Sequence, residues 1–238
     1  MRSQRDDEFG AGMLLNRKPL VLRDKPQVAR GNKRALFLID GYPDVVVKVV
    51  LPREGGTNMA GPKRLLRRFL PSTNYRFLFR EYKCYLAAKL AQAGQSGQSG
   101  ALPIIELRGL VQTDLGPGMI EELIKDGEGN PGTSLRQMVQ RKVFEEHHLE
   151  LLNDFVRRIF AWRVRANDLN PSNILFGQRA GISQFVLVDG LGDSHLIPVR
   201  TWSGHLNERS LCKRFEDTSR VTGLTWDAKD RVFGLPRR

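Results

Sequence analysis

Asp168, Asn173 and Asp189 are three oxygen-bearing side chains set among apolar residues, where one regular element should end and the next begin. Asp168 and Asn173 stand five residues apart in N-D-L-N-P-S-N-I-L-F, across a proline. A loop of that kind can turn one of them toward an acceptor hydroxyl and the other toward a hard cation. Asp189 comes sixteen residues after Asn173, in V-L-V-D-G, and can add a second oxygen ligand to a Mg²⁺ whose other positions go to phosphate. Taken singly, the same residues have plain structural uses. Asp168 can cap a turn, Asn173 can make an Asx hydrogen bond, and Asp189 can open a loop with Gly190.

Placing three such groups together takes a loop and a hairpin. Leu149, Leu152, Phe155, Val156, Ile159 and Phe160 recur at helical spacing and predict an amphipathic helix running into the loop. Asn170 and Pro171 forbid its continuation, and N-I-L-F and Q-F-V-L-V predict two strands joined through G-Q-R-A-G-I-S. Upstream, Ser134 and Gln137 have the spacing of a capping box that opens a short helix. In the first half, Ala35 to Ile39 and Val45 to Leu51 predict antiparallel strands, with Gly41, Tyr42, Pro43 and Asp44 as the turn. Tyr75, Leu78, Tyr82, Tyr85, Leu86 and Leu90 predict a helix from Ser72 to the Gly/Gln/Ser stretch Gly94 to Gly100, which is expected to be a flexible connection. Strands are expected around Leu107 to Gln112 and Met119 to Ile124, and a mobile loop over Pro52 to Pro62.

Composition excludes several classes. With 238 residues, 40% hydrophobic and 27% charged, the chain can bury a sizeable core, so neither a disordered chain nor a fibrous rod fits. Its longest apolar run, Val45 to Leu51, is interrupted by Lys48 and falls far short of the roughly 20 residues of a membrane helix. The first ten residues lack the apolar stretch of a secretory signal, and Cys84 and Cys212 form no paired motif, so free thiols in the cytoplasm are expected. His147, His148, His195 and His205 match no zinc-protease pattern, which disfavours a metal hydrolase.

D-L-N-P-S-N-I-L, from Asp168 to Leu175, resembles the protein-kinase catalytic loop, and V-L-V-D-G-L-G resembles the strand and metal-binding aspartate that follow it there. The resemblance implies roles for further residues. Lys48, in V-V-V-K-V-V, stands as the phosphate-holding lysine, and Glu81 as the helix glutamate that pairs with it. Glu122 and Leu123, in E-E-L-I, stand at the hinge where backbone groups meet adenine. Gly31, in A-R-G-N-K-R, is the single glycine where the phosphate-covering loop of kinases has three. The chain departs from the kinase pattern elsewhere: Ala166 and Asn167 precede Asp168 where kinases have His and Arg, Asn170 replaces a lysine, and no A-P-E motif follows.

The segments V-V-V-K-V-V, L-F-R-E-Y-K-C-Y-L, T-D-L-G-P-G, L-N-P-S-N-I-L and G-D-S-H-L-I-P-V-R-T-W resemble the bacterial YrbL family, named for the PhoP regulatory network and placed among kinase-like folds. This resemblance implies an α+β, atypical kinase-like fold: a basic arm over 1–18, a β-rich N-lobe over 19–124 and a reduced, mainly helical C-lobe over 125–238. It implies binding of ATP and Mg²⁺ between the lobes, with Lys48, Glu81 and Asp189 lining one cleft. Asp168 would act on an acceptor hydroxyl, and Asn173 and Asp189 would hold the metal. The acceptor is not named by these residues. Two other readings stand beside this one: a catalytically inactive kinase-like binding module, and a basic protein acting on nucleic acid or membrane surfaces.

The formal charge of +12 bears on the last of these. Met1 to Arg34 carries a net +5 and Gly61 to Lys83 a net +6. Lys63, Arg64, Arg67 and Arg68 form a dense basic stretch able to attract a polyanionic partner, although no nucleic-acid-binding motif accompanies it. Neutralising these four residues is expected to weaken polyanion binding and flatten its salt dependence, because fewer counterions are released. A salt titration of the variant that matches the unaltered chain would assign the stretch to a solvated face.

Overall fold

The computed structural model describes residues 18–30, 34–51, 72–94, 100–192 and 204–236. Gly31, the basic stretch Lys63 to Arg68, the loop Pro52 to Pro62, most of the Gly/Gln/Ser stretch and all but the last residue of the basic arm lie outside them. The chain is α+β and divides into two compact units, Met1–Phe79 with Glu106–Leu123, and Arg80–Ile105 with Ile124–Arg238. No described helix is long and apolar enough to cross a membrane.

The first unit is built on five antiparallel strands: β1 (Gln27–Arg30), β2 (Arg34–Ile39), β3 (Tyr42–Val50), β4 (Leu107–Thr113) and β5 (Gly116–Glu122), in the order β1-β2-β3-β5-β4. Alternation sorts its residues onto two faces. Ala35, Phe37, Ile39, Val45, Val47, Val49 and Ile120 pack with Leu22 in one apolar cluster. Val46, Lys48, Met119 and Glu121 face the other way and are equally dry. The β2–β3 turn is tighter than the sequence suggests. Asp40 and Gly41 alone form it, with Gly41 at φ +80°, and Tyr42 already begins β3. A register shift between Leu38 and Ile39 lets Pro43 sit inside the strand, as proline does at irregular positions.

Helix α1 (Ser72–Ala93) has the extent its spacing predicts, and the boundary between units falls within it. Leu78 and Tyr85 of its stripe are buried, whereas Leu86 and Leu90 are exposed.

In the second unit, β6 (Thr133–Ser134), β7 (Ile174–Arg179) and β8 (Ile182–Leu187) form a small antiparallel sheet. Ala180 and Gly181 make its two-residue hairpin turn, both at positive φ, which suits the right-handed twist of the strands. Helix α2 (Leu135–Gln140) opens on the predicted capping box, with Gln137 N–H donating to Ser134 Oγ and Ser134 N–H to Gln137 Oε1. Helix α3 (Glu146–Ala161) buries Leu152, Phe155, Val156 and Ile159. Beyond the predicted elements come α4 (Gly204–Thr222) and the hairpin β9 (Thr225–Asp227) and β10 (Val232–Gly234). Asn153 of α3 fixes the hairpin by accepting from Phe233 N–H at 2.7 Å and donating to Phe233 O at 3.0 Å.

The sequence boundaries assign Arg80 to Ile105 to the N-lobe; the structure groups this segment with the second unit. Ile105 N–H donates to Leu187 O, Leu187 N–H to Pro103 O, and the Arg179 guanidinium clamps the carbonyls of Leu102 and Ile104. These partners lie 75 or more residues downstream, beyond the reach of local patterning.

His148 closes the start of α3. Its Nδ1 accepts from Glu145 N–H at 3.1 Å, and its ring sits edge-on to Phe176 and beside Phe144. Burial, and then the neighbouring His147, hold its pKa below the ordinary 6.5. The unfolded chain therefore takes up this proton first as pH falls, so the stability tied to neutral His148 is present above the ordinary value and lost as pH drops through the lower folded one. The unfolding midpoint is expected to fall between about pH 7.5 and 5.5, and His148→Gln, whose carbonyl keeps the acceptor without titrating, should flatten part of that decline. Thermal melts with superimposable pH profiles would place the effect on another group.

Candidate functional site

The loop after α3 is sewn to the strand exit after β8. Ala166 bridges Leu191, the N–H groups of Asn167 and Asp168 both donate to Gly190 O at 2.9 and 3.3 Å, and Gly192 N–H donates to Arg165 O at 3.0 Å. From the other side, Val188 N–H donates to Asn173 O at 2.9 Å. Asp168, Asn173 and Asp189 therefore belong to one seam in the second unit. Gly190 makes this approach possible. It sits at φ +85°, and a Cβ there would lie 2.3 Å from Asp168 O, so the position needs glycine both for its conformation and for its space.

Within the loop, Asp168 Oδ1 accepts from Asn170 N–H at 3.1 Å, and Asn170 Oδ1 from Ser172 N–H at 3.0 Å, two successive Asx turns. Asn173 Nδ2 donates to Asp168 Oδ2 at 3.2 Å. That orientation directs Asn173 Oδ1 away from the carboxylate, and it accepts no hydrogen bond among the described residues. Asp189, half-buried, accepts from Gly190 N–H at 2.7 Å. The turn at Asp168 and the Asp189–Gly190 bond expected from local chemistry are present, whereas the second Asx turn belongs to Asn170 and Asn173 instead donates to Asp168. Leu169, 2% exposed, anchors the loop, and its carbonyl accepts from Thr218 Oγ1 of α4 at 2.5 Å. Asp168 and Asn170 on either side of it stay exposed.

An amide oxygen and a carboxylate on adjacent turns are hard donors of the type Mg²⁺ takes while keeping water and phosphate in its other positions. Asn173 and Asp189 fit such an ion by donor chemistry. A second cluster is less suited. Glu145, His147 and His148 bring possible ligand atoms within 4.8 Å of one another. Yet His148 Nδ1 already accepts Glu145 N–H, so the neutral ring carries its proton on Nε2 and presents no second lone pair. His148 acts there as a cap.

In the first unit, Lys48 is 2% exposed, and its Nζ lies 2.7 Å from Glu121 Oε1. The β3–β5 register sets Val46 opposite Glu121 and Lys48 opposite Met119, so the two charges meet diagonally on one face. Sequence reading passed over Glu121 as a charge partner; its signal was cross-strand register, which no single strand displays. Glu122 N–H donates to Glu106 O and Leu123 N–H to Asp44 O, so the amides of both residues expected at a hinge are engaged within the first unit. Glu81, on α1 in the second unit, is fully buried.

Comparison with known proteins places these features in a family. The family described as PhoP regulatory network protein YrbL matches residues 20–223. The uncharacterized protein YrbL of Escherichia coli (strain K12) is 34% identical over 100 residues, as is that of Shigella flexneri. Each of these matches covers 40% of this chain and 47% of the relative, so the chain spans about half the length of the curated relatives it matches. Among solved structures, two mutant forms of the PknI kinase domain of Mycobacterium tuberculosis are similar at TM-scores of 0.44 and 0.45, with 13% and 14% identity. They cover 89% and 86% of this chain, which in turn covers 77% and 76% of theirs. With the family match running from Leu20 to Gly223, the chain belongs to the PhoP regulatory network protein YrbL family.

Proposed function

We propose that this chain binds a Mg²⁺–nucleoside triphosphate, ATP being the expected one, and transfers its terminal phosphoryl group to a hydroxyl acceptor. The observation that carries the reading is the seam at Gly190, which joins Asp168 and Asn173 to the strand exit bearing Asp189. The likeness of D-L-N-P-S-N-I-L to a kinase catalytic loop supports it. Asn173 and Asp189 would hold Mg²⁺, which when bound supplies charge neutralisation to phosphate oxygens. Asp168 would orient the acceptor hydroxyl and take its proton, since it is the exposed carboxylate of the loop. Lys48, and by resemblance Glu81, would serve the phosphates. Because the amides of Glu122 and Leu123 already donate inside the first unit, adenine held there would have to be met by backbone acceptors.

One observation favours a second reading, a nucleotide-binding module without turnover. Both oxygens of Asp168 accept hydrogen bonds within its own loop, from Asn170 and Asn173. Each oxygen keeps a second lone pair, but an acceptor hydroxyl would have to approach past these two loop donors. Asp189→Asn is expected to weaken Mg²⁺-dependent nucleotide binding about tenfold or more, whereas Asp168→Asn should leave affinity within about twofold and lower phosphoryl transfer roughly 10²-fold. Calorimetric titration with and without Mg²⁺, followed by a phosphate-transfer assay, reads both. Binding without transfer to any acceptor or to water selects the binding module; absence of Mg²⁺-dependent nucleotide binding overturns both.

A further inference from the structure

Helix α4 has two faces with different tasks. Asn207, Leu211, Phe215, Thr218 and Thr222 are buried, and Thr218 holds the loop at Leu169. The opposite face, with Arg209, Lys213 and Arg220, forms one wall of a groove whose other wall is the β9–β10 hairpin with Trp226, Lys229 and Arg231. The hollow measures about 570 Å³, within the range of small-molecule sites.

Its charge is unbalanced. Five Arg and Lys side chains line it against the carboxylates of Glu208 and Glu216. Both acids are already matched, Glu208 Oε2 by Arg231 at 2.9 Å and Glu216 Oε1 by Arg220 at 2.5 Å. Arg209, Lys213 and Lys229 are exposed, and their side chains make no ion pair or hydrogen bond among the described residues. Three cations without counter-charge in one concavity concentrate anions there.

The walls are held rigidly. Trp226 packs against Phe233 and Phe215 at ring-centroid distances of 4.9 and 5.2 Å, and Asp227 Oδ1 accepts from the N–H groups of Lys229 and Asp230 to fix the hairpin turn. The indole Nε1 of Trp226 is buried in the wall with no acceptor among the described residues. Cys212 also lines the groove, but burial raises its pKa and keeps it a thiol, so the site carries no activated nucleophile.

We propose that this groove is a second binding site, for a small ligand bearing several phosphate groups, held by Arg209, Lys213 and Lys229 against the Trp226 wall. An open groove of about 570 Å³ with guanidinium and ammonium donors on two sides suits clustered phosphate oxygens. The site lies on the face of α4 opposite the Asp168 loop and is independent of the nucleotide reading.

The test is calorimetric titration of inorganic tripolyphosphate into the full chain in EDTA, which excludes the Mg²⁺-dependent site. Saturable 1:1 binding is expected. The triple variant Arg209→Gln, Lys213→Gln, Lys229→Gln should weaken it about tenfold or more, and each single change about twofold to fourfold. A control triple variant of exposed cations elsewhere, Arg108→Gln, Arg141→Gln and Lys142→Gln, should stay within about twofold, as expected for distant screened charges. Ligand-induced change in tryptophan emission should vanish in Trp226→Phe. If the triple variant does not fold, the three single variants carry the test. No saturable binding, equal losses in the two triple variants, or tighter binding of a single-stranded oligonucleotide at the same residues would overturn the proposal.

Discussion

The backbone contact between Gly190 and Asp168 is the constraint on which the second unit turns. Two N–H groups share one carbonyl at Gly190, and the Asp168 carbonyl occupies the space a side chain at Gly190 would fill. Any larger residue would open the seam and move Asp168 relative to the strand exit. The contact also explains why the loop can be stiff and still leave polar groups outside. Leu169 is fixed below by packing and by Thr218, so the residues flanking it need no burial of their own.

The first unit solves a different problem. It encloses a lysine and a glutamate where water hardly reaches, and such a pair is poor evidence for stability because desolvation offsets most of the attraction. Losing one member commonly costs about 3–5 kcal/mol, whereas replacing both by apolar residues is often neutral. What the pair does secure is position. It fixes where the Lys48 ammonium sits on the face of the sheet opposite the apolar cluster around Phe37 and Val47. The first unit thus pairs charge in its interior, whereas the Asp168 carboxylate of the second unit stays exposed on its loop.

Local chemistry was legible in the sequence. The spacing of Leu152, Phe155, Val156 and Ile159 locates α3, Ser134 and Gln137 locate the start of α2, and Ala180 with Gly181 lies within the stretch expected to turn between β7 and β8. The D-L-N-P-S-N loop was readable because its bonds run over two to five residues. What escaped depends on distant partners. The match of Lys48 with Glu121 needs the β3–β5 register, and the Thr218 bond to Leu169 spans 49 residues. Leu86 and Leu90 continue an apolar stripe that tertiary packing does not cover, which spacing alone cannot tell. Helix α4 carries its basic stripe on one face and its core on the other, and the meaning of the stripe emerges only once the hairpin stands beside it.

The placement of Arg80 to Ile105 has a consequence for how the chain is made. The polypeptide passes between units three times, after Phe79, Ile105 and Leu123, so neither unit is a continuous stretch. During synthesis the sheet of the first unit has all its strands once Leu123 has emerged, but Leu102, Ile104 and Ile105 must wait for Arg179 and Leu187. At roughly 5–20 residues per second that wait lasts several seconds, during which an apolar segment lacks its partners. The interval is when this chain is most open to mispairing, and a shielding chaperone would have its effect there.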